Sequence, residues 1–230
     1  MRLSTALLAV LFGIASTASA DGPYCHLIVH NPCADSHQNG AELLDIVKNI
    51  KDASATNPYM IHLGAGTYTL PSSMTLLPYI SIKGAGIAST ILTPQNSSFV
   101  TTLFLQDQIS PTYVQAPSNE SVSNMTIVGI QPLSATVNGF LAIDHVQLLT
   151  TANLQSEIDL LTAGSHFLVT DSLLGTLELD SMLVTSSTPS AVSSFLSSQV
   201  DLIFEPAPYF NVVCMADYTS TGTAVPQACH

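Results

Sequence analysis

The sequence predicts an all-β solenoid of stacked parallel strands, closed at its start by one α-helix. Three observations predict it. After Pro58, short β-rich bursts alternate with small polar residues, and no helical pattern intervenes. Hairpin signals are scarce: of Asp21-Gly22, Asn39-Gly40 and Asn138-Gly139, only the last falls between expected strands. Grouping alternate bursts gives a recurrence of about 20–24 residues, within the solenoid range.

Residues 1–20 read as a secretory signal peptide. Arg2 supplies the positive start, Ala6 to Ile14 the apolar stretch, and Ala18-Ser19-Ala20 a small-x-small cleavage site. Nine apolar residues are too few to cross a bilayer, and no later run reaches the ~18 that would. The expected location is secreted or extracellular, or periplasmic or cell-surface in a bacterium, without membrane insertion. Segment 21–40 reads as a polar loop holding Cys25, Cys33, His26, His30 and His37. The cysteine spacings lack the CxxC pattern of metal sites, so no metal or other cofactor is expected. The four cysteines allow three disulfide pairings. Pairing near each chain end, Cys25 with Cys33 and Cys214 with Cys229, is the expected one.

Residues 41–51 form the one amphipathic helix, with Leu43, Leu44, Ile46, Val47 and Ile50 on one face. Asn39 or Gly40 is expected to cap it, with Glu42 at its positive end and Lys48 and Lys51 at its negative end. The expected strands are 59–63, 67–70, 79–83, 90–93, 99–105, 125–128, 140–145, 157–161, 166–170, 176–179, 182–185 and 200–204. The domain reading is therefore a signal peptide at 1–20, a loop and capping helix at 21–56, a solenoid at 57–209, and a cysteine-bearing C-terminal cap at 210–230.

Composition limits function. Hydrophobic residues make up 47% of the 230 and charged residues 9%, which suits a packed body rather than disorder. Beyond residue 20 stand three lysines, no arginine and sixteen acids, a formal charge of −13. Such a chain cannot neutralise a phosphate backbone, so nucleic acid is excluded as a partner. Polyanionic substrates are disfavoured, and a neutral or cationic glycan or a surface protein is the expected partner. There is no Trp to serve as a sugar-stacking platform; the tyrosines available include Tyr59, Tyr68, Tyr79, Tyr113, Tyr209 and Tyr218, of which Tyr68 and Tyr79 are expected to pack. Asn96, Asn119 and Asn124 begin glycosylation sequons, relevant in a eukaryotic secretory pathway.

Two runs carry a family resemblance. Residues 57–68 (NPYMIHLGAGTY) place an apolar strand before a Gly-Thr-Tyr turn, and residues 80–93 (ISIKGAGIASTILT) place a strand before Gly-x-Gly and Thr-Ile-Leu-Thr. Together they resemble the opening coils of pectin-lyase-like β-helix proteins, pectin methylesterases among them. The resemblance implies a single-stranded right-handed parallel β-helix with an N-terminal capping helix. Gly84-Ala85-Gly86 then reads as a tight turn and not a phosphate loop, since Ser89 stands where a third glycine would and no helix follows.

The methylesterase resemblance also implies roles. Gln106-Asp107-Gln108 and Val200-Asp201-Leu202-Ile203-Phe204 partly match its catalytic segments. Asp201 would attack the ester carbonyl, Asp107 would serve as acid and base, and Gln106 would hold the oxyanion. The departures are large. The two aspartates lie 94 positions apart, about four coils or ~20 Å, and no arginine is available. Missing arginine also removes the usual lyase base, leaving Lys83 as the one substitute considered, and Gly164-Ser165-His166 departs from the Gly-His-Gly of polygalacturonases. Asp144, Glu157, Asp159, Asp171, Glu178 and Asp180 could assemble across coils as paired carboxylates, but a solvated polar edge is the expected role. His145 and His166 are expected to be turn residues. The reading is a non-catalytic extracellular surface, matrix or glycan-binding protein, with a diverged carbohydrate-active enzyme as the alternative.

Overall fold

The computed structural model describes residues 24–96, 101–106, 119–152, 155–160, 165–180, 191–196, 198–204 and 210–215. In chain order the elements are β1 (His26–His30), α1 (Ser36–Asn49), β2 (Tyr59–Leu63), β3 (Gly66–Leu70), β4 (Met74–Leu76), β5 (Ile80–Lys83), β6 (Thr90–Pro94) and β7 (Thr101–Gln106). They continue as β8 (Asn119–Gly129), β9 (Gln131–Val137), β10 (Phe140–Thr150), β11 (Ser156–Leu160), β12 (His166–Thr170), β13 (Leu173–Asp180), β14 (Ala191–Leu196), β15 (Gln199–Phe204) and β16 (Phe210–Met215).

Every pairing between these strands is parallel, and together they form one curled 16-stranded sheet. The chain visits three ladders in succession. The first runs β1-β2-β5-β8-β10-β12-β14-β16. The second joins β3, β6 and the second halves of β8 and β10. The third runs β4-β7-β9-β11-β13-β15. Tyr59 pairs with Ile80, Asn119 with Phe140, Phe140 with His166 and Ala191 with Phe210, so these rungs advance 19 to 26 residues. That brackets the expected repeat. The step from Ile82 to Val122 takes 40 residues, and this long rung hides the period in the sequence.

Each ladder contributes a column to one core. Ile61, Ile82, Val122, Ile143 and Val169 stack in register and are fully buried. Tyr68, Leu92, Ile127 and Leu148 form the second column, and Leu76, Leu105, Ala135 and Ile158 the third. Fully burying one such aliphatic side chain stabilises the fold by about 1.5–3 kcal/mol.

The corner between the first two ladders is built from left-handed backbone. Asn124, His145 and Asp171 have φ of 55°, 52° and 46° and follow the register partners Ser123, Asp144 and Thr170. Asn, His and Asp are the non-glycine residues that tolerate this region best. A buried serine then ties rung to rung: Ser172 Oγ accepts from Val146 N–H at 3.0 Å, and Ser198 Oγ accepts from Ser172 N–H at 3.3 Å. Asn138-Gly139 is likewise a corner. It links β9 of the third ladder to β10 of the first, and no hairpin forms there.

The N-terminal end departs from expectation in three ways. Segment 21–40 contains strand β1, parallel to β2, so the first ladder begins before residue 57. The helix starts earlier than expected, at Ser36, and Asp35 caps it, its side chain accepting from His37 N–H at 2.9 Å and Gln38 N–H at 3.4 Å. Asn39 and Gly40 are therefore interior and buried. The reason is contact with β3. A Cβ on Gly40 would lie 2.1 Å from Thr69 O, and the Asn39 amide donates to Cys33 O and Thr67 O at 3.0 Å each. Glu42 does not serve the helix start either. Its carboxylate meets His30 Nε2 at 2.9 Å, and His30 Nδ1 lies 3.5 Å from the Tyr68 hydroxyl.

The Cys25–Cys33 disulfide is corrected: both are exposed free thiols, near Thr56 O and Asp35 O at 3.4 and 3.5 Å. Strand β1 is the cause. It runs extended from His26 to His30 between the two cysteines, leaving Cys25 before its first residue and Cys33 three residues beyond its last. At the other end, β16 continues the first ladder through Met215, into the segment read as a cap. Its register sets Cys214 opposite Phe195, in line with Val169. The Cys214 side chain and Cys229 lie outside the described residues.

Candidate functional site: stacked acids on two outer surfaces

Parallel stacking converts sequence-distant acids into neighbours. On the third ladder, Glu157 pairs with Glu178 and Asp159 with Asp180, so acids face acids one strand spacing apart, ~4.8 Å between backbones. Ile158 is in the core, which turns Glu157 and Asp159 outward. Glutamines engage the glutamates: Gln131 Nε2 donates to Glu157 at 3.3 Å, Gln155 donates to Glu178, and Thr101 donates to Gln131. The result is a polar ladder crossing β7, β9, β11 and β13.

The second group lies at the left-handed corner. His145 Nδ1 is 2.9 Å from Asp144 Oδ1, and His145 Nε2 is 3.8 Å from Asp171 Oδ2. Thr170 also donates to Asp144. One ligand atom from each of Asp144, His145 and Asp171 lies within 4.8 Å of the others. This trio is about half exposed. An imidazole and two carboxylates can clamp a proton between adjacent rungs or ligate a divalent cation. The expectation that His145 and His166 are turn residues is corrected: His145 sits at a left-handed bend inside β10 and His166 in β12, while Asp171 stands at the bend before β13.

Of the resemblance-derived trio, the described residues include the backbone of Gln106 and Asp201. Gln106 ends β7, in register with Thr136, and Asp201 lies in β15, in register with Thr176. From β7 to β15 is four ladder steps, ~19 Å, in line with the expected separation. Asp107 and the side chains of Gln106 and Asp201 lie outside the described residues. His166 is exposed at the start of β12. Of the sequons, Asn96 and Asn119 are exposed, while Asn124 is half-buried at the corner.

Tyr68 and Tyr79 are buried, as expected of packing residues. Tyr59 stacks on His26, with ring centroids 4.5 Å apart, and its hydroxyl donates to Asp52 at 2.8 Å. That carboxylate raises the phenol above its ordinary pKa. Tyr24 was not legible as a site residue. It lies beside the first ladder, and its hydroxyl reaches Ser81 Oγ at 3.3 Å and Ser121 Oγ at 3.5 Å. Nothing in the local sequence signals a contact across 97 positions.

Charge is unevenly distributed. All three lysines beyond residue 20 lie at or before Lys83, and beyond it stand eleven acids with no lysine or arginine. No helix among the described residues is long and apolar enough to cross a membrane.

No protein-family model and no curated protein matches the chain. Among solved structures it is similar to pectin methylesterase PemA from Erwinia chrysanthemi, at 11% identity, covering 86% of this chain and 79% of that one with a TM-score of 0.40. The all-parallel curled sheet fits a parallel β-helix.

Proposed function

We propose that the protein is a secreted, right-handed parallel β-helix that acts without catalysis as an extracellular surface, matrix or glycan-binding scaffold. One observation carries this reading: Glu157 and Glu178, paired in register on the third ladder, are each engaged by a glutamine, Gln131 and Gln155. Acids held in this way stiffen a surface and give it a uniform negative charge. A neutral glycan or a cationic polymer suits such a face.

The second reading, a diverged carbohydrate-active enzyme, draws on Asp144 and Asp171 flanking His145. A histidine between two carboxylates is a possible acid-base group. Incubation with methyl-esterified pectin and a panel of neutral glycans, read by mass spectrometry of the supernatant, separates the two. The scaffold reading expects no released methanol or oligosaccharide, together with retention of the protein on at least one insoluble glycan or cationic polymer. Product release that is lost in both Asp144→Asn and Asp171→Asn would replace it with the enzyme.

A further inference from the structure

Among the described residues, β1 pairs with β2 alone, so it forms the open edge of the first ladder. The helix packs on β3 and β4 instead, at the starts of the other two ladders. Backbone direction along β1 follows from two bonds. His26 N–H reaches Pro58 O at 3.2 Å, and His30 O accepts from Gly64 N–H at 2.9 Å. Residues 26, 28 and 30 therefore turn their peptide groups toward β2, and Leu27 and Val29 turn theirs to the open edge. The same two residues carry the most exposed large apolar side chains described, at 60% and 58%. An edge offering peptide groups and apolar side chains together is a template for another strand.

Charge selects the occupant. From Tyr24 to Lys83 three lysines face four acids, whereas beyond Lys83 eleven acids stand with no lysine or arginine. Two copies approaching by any other end bring unrelieved negative surfaces together, and only the β1 end is near neutral. We propose that β1 is a self-association edge, pairing antiparallel with β1 of a second copy about a two-fold axis at Ile28. In that register Leu27 and Val29 of the second copy exchange both N–H···O bonds, and so do Val29 and Leu27 of the second copy. The four exposed side chains then meet on one face. The contact is small, so association is weak and concentration-dependent.

Sedimentation velocity of the purified protein tests this, run up to about 1 mM and in about 0.5 M salt to screen the remaining repulsion. The wild type is expected to shift from monomer toward dimer. The double variant Leu27→Lys/Val29→Lys is expected to stay monomeric with unchanged circular dichroism. Leu149→Lys, at an exposed apolar position on β10, is expected to associate like the wild type. In parallel, hydrogen exchange at the Leu27 and Val29 amides should slow with protein concentration while that at exposed amides of Ala152 does not. A wild type that remains monomeric throughout overturns the proposal. So does undiminished association of the double variant, or concentration-independent exchange at both β1 amides in a sample that associates. Capture of a different protein by β1 with no dimer would assign the edge to that partner instead.

Discussion

At the scale of single residues, the corner between the first and second ladders depends on small polar side chains in buried places. Ser172 Oγ accepts from Val146 N–H, and Ser172 N–H in turn donates to Ser198 Oγ. Changing Ser172 to Ala strands a buried donor, which costs about 1–3 kcal/mol. Urea denaturation should show that loss, whereas Ser72→Ala, at an exposed site, should leave the midpoint nearly unchanged. The serines were legible only as turn composition. Their role depends on a neighbour 26 positions away, and no local pattern announces that. The left-handed positions were more nearly legible, because Asn, His and Asp between apolar bursts are the side chains such a bend favours. What could not be read is that Asp144, His145 and Asp171 would meet, since that requires knowing the length of each rung.

At the scale of elements, α1 and the first rungs are joined through Gly40, Asn39 and the His30–Glu42–Tyr68 contact. Burial pushes the Tyr68 phenol up to about 12, against a weaker opposing effect of its bond to Gly64 O. Because the folded value is raised, the neutral phenol's contribution is fully present below the ordinary value of 10.0. It is lost as pH climbs from there through about 12. Alkaline unfolding followed by circular dichroism should therefore fall steeply across that window, and Tyr68→Phe should flatten the fall. Glu42 works in the opposite sense: hydrogen bonds from Gln38 and His30 hold it below its ordinary carboxylate value. Its contribution is present above that ordinary value and is lost as pH falls through the lowered one. The helix was legible from its apolar period, but its first turn was not. Asn39 and Gly40 look like a cap by local preference, yet β3 needs a glycine at that spot so that the helix can approach.

At the scale of the whole molecule, acids accumulate along one direction of the stack. Glu157 over Glu178 places like charges in register, and no lysine beyond Lys83 offsets them. Self-repulsion of this kind weakens with ionic strength, since the screening length drops from ~10 Å at 0.1 M to ~3 Å at 1 M. The thermal midpoint should rise as sodium chloride is raised across that range, and Glu178→Gln should reduce the rise. A midpoint insensitive to salt would mean that the glutamine ladder already neutralises the strain of stacking.

The amino-acid order alone was enough for the strand-rich, helix-poor character, the capping helix and the acidity. These follow from local pattern and from sums over the chain, which need no knowledge of neighbours. Counting coils also gave a spacing that the four ladder steps between Gln106 and Asp201 match. The tertiary structure alone decided that the thiols of Cys25 and Cys33 stand apart, that β1 opens the sheet, and which carboxylates share a surface. In a parallel stack each side chain's neighbours belong to the rungs above and below. Those rungs vary in length, so a neighbour's identity is a property of register, and register is settled only when the core columns close.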